Sequence, residues 1–190
     1  RYGTYGKNEV ENCPPFLRQN NWRTRNLVVA GNFNMTNTDE LFDKLVALGQ
    51  HPKEMADTVT LLERIGHFLD VENQRLFDEL KGGALNHQEI SHQIGEALNV
   101  QAILKQAANS LDGGYVMCGL IGHGDAFVMR DPNGIRPAYY YQNDEFVVAA
   151  SERPAIQTVF NVPFEEINEV LPGHSLIIKK SGKTSMEQIL

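Results

Sequence analysis

The stretch Gly113 to Tyr141, GGYVMCGLIGHGDAFVMRDPNGIRPAYYY, decides how the chain is read. Tyr115 to Ile121 and Ala126 to Met129 are apolar runs on either side of Gly122-His123-Gly124-Asp125, the pattern of a hairpin with a glycine-permitted turn. Asp131-Pro132-Asn133-Gly134 supplies a second turn, because proline presets φ at its first central position and Asn-Gly tolerates positive φ. The chain is expected to reverse there, return as Ala138 to Tyr141 and continue as Phe146 to Ala150, a meander of about four strands.

Working outward, Leu27 to Ala30 is a short apolar run with two β-branched valines, expected to form a central strand that delivers Asn32 and Phe33 into a loop at its end. Asn37 with Glu40 three residues on has the pattern of a capping box, opening a helix to about Leu48 with Leu41, Leu45 and Leu48 on one face. Met55 to Leu80 is a second helical region with a stripe of Leu61, Leu62, Ile65 and Leu69, expected to break near Asp70. His87 to Leu111 is a third, less regular one. Ser181-Gly182-Lys183-Thr184 ends like a phosphate-binding loop, but Ile177 stands where the first glycine is required, so it reads as a hairpin turn. Gly122-x-Gly124 is followed by Phe127 rather than a third glycine, which excludes a dinucleotide fingerprint. His87 and His92 are five apart, off the one-face spacing of helical zinc ligands, and none of the six histidines receives a role.

Composition narrows the classes. A chain of 190 residues with 42% hydrophobic content can bury one full core, and residues 1–190 are expected to form a single domain. Lys plus Arg at 17 against Asp plus Glu at 24 gives a net charge of −7, which argues against nucleic acid or an anionic membrane as the main partner. Two cysteines at unrelated spacing provide no disulfide framework and suggest a reducing, cytoplasmic setting. No apolar run approaches the ~18 residues of a membrane span.

The run Ile121-Gly122-His123-Gly124, the octapeptide Arg130 to Pro137 and the following strand with Ala150-Ser151-Glu152 together resemble the glutaminase domain of the amidophosphoribosyltransferase family. That resemblance implies an α+β fold of the N-terminal-nucleophile hydrolase type, two stacked antiparallel sheets between helical layers. Arg1-Tyr2-Gly3-Thr4 is similar to the family signature whose arginine holds the α-carboxylate of glutamine, a task suited to a planar two-donor fork. Ala30 to Asn37 is similar to the family loop that supplies the oxyanion hole, which implies the Asn32 side-chain amide and the Phe33 N–H as donors. Asp57, in Ala56-Asp57-Thr58, matches the aspartate that receives the substrate's α-amino group. Asn168 to Gly173 looks like the turn before the domain's last strand. The chain departs from the family at two positions, with Gly31 in place of histidine and Phe33 in place of glycine. If the loop requires positive φ at 33, a phenylalanine there is disfavoured.

The family's nucleophile is an N-terminal cysteine whose own amine is the general base, whereas Arg1 opens this sequence. Met117-Cys118-Gly119 copies such a start, yet it lies inside an apolar run. Cys118 is therefore read as a buried strand residue and Cys13 as a loop thiol. The resemblance thus implies an N-terminally incomplete glutaminase domain, inactive by itself, whose partners are L-glutamine, the missing N-terminal segment, a phosphoribosyltransferase domain and further copies of the chain. It implies no cofactor in this domain and magnesium only with the transferase domain. Two alternatives stand beside it: an asparagine-synthetase-type glutaminase, suggested by Gly134 to Tyr140, and an inactive paralogue with a scaffolding or regulatory role, suggested by Gly31 and Phe33. Arg130, Asp131 and Arg136 are read as structural.

Overall fold

A computed structural model describes residues 13–190; Arg1, Tyr2 and Thr4 lie outside the described residues. Among the described residues, nine strands and five helices follow in the order β1 (Phe16–Arg18), β2 (Leu27–Met35), α1 (Thr38–Ala47), α2 (Asp57–Leu80), α3 (His87–Ala97), α4 (Val100–Ala108), β3 (Gly113–Ile121), β4 (Ala126–Arg130), β5 (Tyr139–Gln142), β6 (Val147–Ala150), α5 (Arg153–Phe160), β7 (Asn168–Glu169), β8 (His174–Ile178) and β9 (Thr184–Gln188). Six of the strands form one sheet in the order β1-β2-β3-β4-β8-β9, and β6-β5-β7 form a second, all pairings being antiparallel.

Three apolar clusters hold four layers together. The largest packs α2, α3 and α4 on one face of the six-stranded sheet through Leu61, Ile65, Leu69, Ile94 and Leu104 against Leu27, Val29, Tyr115 and Phe127. A second, with Val128, Ala138, Val170 and Leu176, fills the space between the two sheets. A third seats α5 on the outer face of the small sheet through Ile156. Each fully buried leucine or phenylalanine contributes about 1.5–3 kcal/mol relative to exposure.

The octapeptide does not close a single meander. β4 pairs with β3 and β8, while β5 pairs with β6 and β7, so Asp131 to Pro137 carries the chain from one sheet to the other. Its charged groups explain the crossing. Asp131, fully buried, accepts from the N–H groups of Asn133, Ile135 and Arg136, each at 3.0 Å. Arg130 donates to the carbonyls of Gly134 (3.0 Å), Arg136 (2.6 Å) and Val170 (2.9 Å) and pairs with Glu169 at 2.5 Å. The structural reading of this segment holds.

The helices also differ in detail from the sequence pattern. Asn37 stands at the start of α1 without capping it, because its side chain donates to Ser110 O (2.8 Å) and accepts from Asp112 N–H (3.2 Å). The capping box is instead Asn86 with Glu89 at α3. Leu48 is exposed rather than part of a buried stripe. Helix α2 is unbroken over 24 residues, since Glu63 and Asp70, two turns apart on one face, both receive Arg18 from β1 at 3.0 and 2.6 Å. The Asn168 to Gly173 turn precedes two strands rather than the last one, and β8 and β9 join through the expected hairpin at Gly182.

Candidate functional site

Asn32 and Phe33 are not in a loop. β2 runs through them, pairing Asn32 with Val116 and Phe33 with Tyr115. Thr36 N–H donates to Asp112 O at 3.0 Å and Gly122 N–H to Asn26 O at 2.9 Å, so even-numbered residues of this stretch turn their backbone toward β3. Alternation then turns the Phe33 N–H to the opposite edge. There β1 covers only Leu27, Val28 and Val29 among the described residues. The donor assigned to Phe33 thus lies outside the β2–β3 ladder.

Side chains alternate across the same strand. Asn32 shares its face with Val116, which belongs to the layer between the sheets, whereas Phe33 points to the helical side and is only 9% exposed. Phe33 is not among the residues with positive φ, so extended backbone here accommodates its bulk without strain.

The two departures from the family pattern are physically one feature. A Cβ at position 31 would lie 2.4 Å from Cζ of Phe33 and 2.5 Å from the Val116 carbonyl oxygen. The phenylalanine ring therefore occupies the space over residue 31, and Gly31 is the residue that admits it. Sequence reading met these as separate anomalies because the two-residue periodicity of a strand becomes visible only once both residues are known to lie in one.

The second sheet covers only part of the six-stranded one. Beyond Val116 the same face continues through Cys118 and Leu120 of β3, Val28, Ala30 and Asn32 of β2, and Leu17 of β1. Leu120 is 50% exposed and Leu17 60%. Cys118 is exposed on this face, with Sγ 3.4 Å from Ala30 O, which corrects its reading as a buried residue. An apolar run had suggested burial on both faces, but one of them is left open.

Asp57 begins α2 and is buried. Its Oδ1 accepts from Thr58 N–H at 2.7 Å, the local arrangement of a helix N-terminal carboxylate. Arg64 of α2 donates to Ala107 O and Asn109 O, both at 2.6 Å, and Asn73 donates to Thr24 O at 3.2 Å, so α2 runs antiparallel to β2. Asp57 accordingly lies toward the Met35 end of β2. It is on the helical side of the sheet, whereas Asn32 faces the other way.

A separate cleft of about 480 Å³ opens at the opposite end of the sheet, between α3, the Arg23–Arg25 turn, the β3–β4 turn and the β8–β9 turn. At its floor Asp125, almost fully buried, takes Lys179 Nζ on Oδ2 and Lys180 N–H on Oδ1 at 2.9 Å. His123 Nε2 faces Asp125 Oδ2 at 3.2 Å, while Nδ1 has no partner among the described residues. Burial lowers the pKa of His123 despite the pull of Asp125 in the other direction. Burial alone would raise Asp125, yet Lys179, the Lys180 N–H and His123 hold it below the ordinary carboxylate value. Sequence reasoning missed this cleft because its residues come from four segments far apart in the chain. The Gly-His-Gly-Asp turn was its one local signal. Among the described residues no group of three or more His, Cys, Asp or Glu side chains is placed to hold a metal, and no helix is long and apolar enough to cross a membrane.

The layered sheets and helices define an N-terminal-nucleophile hydrolase fold. No family model matches the chain. Among curated relatives it is 29% identical over 194 residues to an amidophosphoribosyltransferase of Pasteurella multocida (strain Pm70), covering 99% of this chain and 34% of that protein. It is 28% identical over 196 residues to the amidophosphoribosyltransferase of Escherichia coli (strain K12), with the same coverage. Among solved structures it matches the glutamine phosphoribosylpyrophosphate amidotransferase from B. subtilis complexed with ADP and GMP, with a TM-score of 0.65, 25% identity, and coverage of 95% of this chain and 32% of that one. A structure of the allosteric regulatory enzyme of purine biosynthesis gives a TM-score of 0.66 at 26% identity, covering 100% of this chain and 34% of the other. The chain spans about a third of the length of the relatives it matches. The resemblance first read from the octapeptide holds over the whole chain.

Proposed function

We propose that the chain is the glutamine-hydrolysing part of an amidophosphoribosyltransferase-like enzyme, releasing ammonia for attack on phosphoribosyl pyrophosphate in purine synthesis. The observation that carries this reading is the match to amidophosphoribosyltransferases along 99% of the chain. The backbone at the candidate oxyanion donors is compatible with it. A cysteine thiolate outside these 190 residues adds to the carboxamide carbon of glutamine, and the resulting oxyanion is received by Asn32 Nδ2 and the Phe33 N–H. The proton that the cysteine's own α-amine took from the thiol passes to the leaving nitrogen, so collapse expels ammonia and leaves a thioester, which water hydrolyses to glutamate and free thiol. Arg1 clamps the α-carboxylate, flanked by Tyr2 and Thr4, and Asp57 receives the α-ammonium group.

Neither alternative gains from these findings. The asparagine-synthetase reading draws no support from the relatives quoted above. The inactive-paralogue reading rested on Phe33 and Gly31 together with the nucleophile missing from these 190 residues; the first two form one packed unit on the helical side and leave the Phe33 N–H outside the β2–β3 ladder. Glutamate release from glutamine by the longer protein is the decisive assay. Asn32→Ala is expected to lower kcat by about 10²–10³ with little change in KM, and Asp57→Ala to raise KM. Turnover unaffected by Asn32→Ala sinks the oxyanion assignment, and absence of both glutamate release and labelling by a cysteine-alkylating glutamine analogue sinks the function.

A further inference from the structure

We propose that the cleft between α3 and the β3–β4 and β8–β9 turns is a binding site for phosphate or a small phosphomonoester, distinct from the proposed glutamine site. The charges in the cleft are unequal. Asp125 is already matched by Lys179 and by the Lys180 backbone, which leaves Arg23 and Lys180 as cations facing the cleft against the single carboxylate of Glu96. A cleft whose uncommitted charge is positive, with Ser91 and Ser181 hydroxyls beside it, suits a compact oxyanion.

Both cations are positioned rather than loosely tethered. Arg23 donates from Nε to Gly122 O at 3.0 Å and from Nη2 to His123 O at 3.4 Å, which aligns its guanidinium along the β3–β4 turn. The Lys180 stem lies over Gly124, where an added Cβ would come within 2.9 Å of Lys180 Cγ, and φ of +120° there excludes an ordinary side chain. Gly124 thus makes room for the lysine, whose ammonium has no partner among the described residues.

The independent sign of a ligand is His123. His123 is 7% exposed and lines the cleft; Nε2 faces Asp125 Oδ2 at 3.2 Å, whereas Nδ1 has no partner among the described residues. An unpartnered buried polar atom is costly, because desolvation is not repaid by a hydrogen bond. With Nε2–H turned to Asp125, Nδ1 of the neutral imidazole is left as an acceptor, and the O–H of monohydrogen phosphate is complementary to it. Thr24, also lining the cleft and 1% exposed, has an unpartnered Oγ1 that adds to the same demand. The cleft volume of about 480 Å³ falls within the range of small-molecule sites. It is also remote from the proposed chemistry: the turn adjoins the Leu27 end of β2, and Asn32 lies five residues along, about 17 Å away.

Isothermal titration of the intact protein with inorganic phosphate, against chloride at matched ionic strength, tests the assignment. Saturable binding with Kd of about 1 mM or tighter is expected, accompanied by movement of the His123 ring resonances. Lys180→Ala, an exposed substitution that leaves the fold in place, should weaken binding at least about tenfold, the loss of one charge-assisted contact. Arg23→Gln should do the same. Glutamine hydrolysis in phosphate-free buffer should be unchanged by Lys180→Ala, which keeps this proposal separable from the glutaminase reading. Phosphate indistinguishable from chloride overturns it, as does phosphate binding of wild-type strength in Lys180→Ala.

Discussion

Replacing Gly31 by alanine probes the paired departure, Gly31 with Phe33, from the pattern of the proteins this chain resembles. The added Cβ would meet Phe33 Cζ at 2.4 Å and Val116 O at 2.5 Å, and both lie far inside normal contact. One obstacle is a ring held in the largest core cluster and the other is backbone in the β2–β3 ladder, so neither moves freely. Overpacking of this kind costs about 1–3 kcal/mol. For a chain of this size that corresponds to a fall in Tm of about 2–4 °C per kcal/mol. Phe33→Leu removes the ring atoms that crowd position 31 and by itself should cost about 1–2 kcal/mol, within the usual range for a core change. In the double variant the alanine meets only the Val116 carbonyl. The two effects should therefore fall short of additivity by about 0.5–3 kcal/mol, the coupling expected of residues in contact. Urea unfolding with unchanged m gives each term. Additivity within about 0.5 kcal/mol would falsify the statement that the Phe33 ring fills the space over Gly31.

Asp131→Ala removes the buried carboxylate that accepts from three N–H groups at the sheet-to-sheet crossing and is expected to cost about 2–3 kcal/mol, read as a lower urea midpoint. Wild-type stability in that variant would remove the octapeptide from the structural account. Arg18→Met breaks the ties to Glu63 and Asp70 together, for a loss of about 2 kcal/mol, whereas Lys44→Met on an exposed helical pair should change little. Because the folded state holds His123 below its ordinary pKa, the unfolded chain binds the extra proton as pH falls through about 6.5. Stability should decline on acidification from that point. His123→Gln should flatten the slope in denaturant midpoints between about pH 7 and 5, and an equal slope in both proteins refutes the linkage.

What the sequence revealed and what it hid divide along physical lines. Local chemistry was legible: the hairpin at Gly182, the apolar stripe of α2 and the self-contained hydrogen bonding of Asp131 all depend on residues near one another in the chain. Pairing partners were not. Nothing in Asp131 to Pro137 states whether the next strand joins the same sheet, because a turn of this kind serves both a reversal and a crossing, and β8 and β7, forty residues on, decide the outcome. Cys118 failed for a related reason. An apolar run tells how much surface is available for burial but not how many layers are present to bury it.

The candidate site carries the same distinction into function. A resemblance can align Asn32, Phe33 and Asp57 in one motif set, yet here the Asn32 side chain faces the open side of the sheet while Asp57 begins a helix on the other. One substrate can touch both only around the end of the sheet, near Met35, where β2 finishes and α2 begins. The reading therefore requires Asp57 to bind the amino end with little influence on the carbonyl. That is why Asp57→Ala is expected to act on KM and Asn32→Ala on kcat, and a loss of kcat alone in the Asp57 variant would place both residues at the reacting carbon and contradict the geometry of β2 and α2.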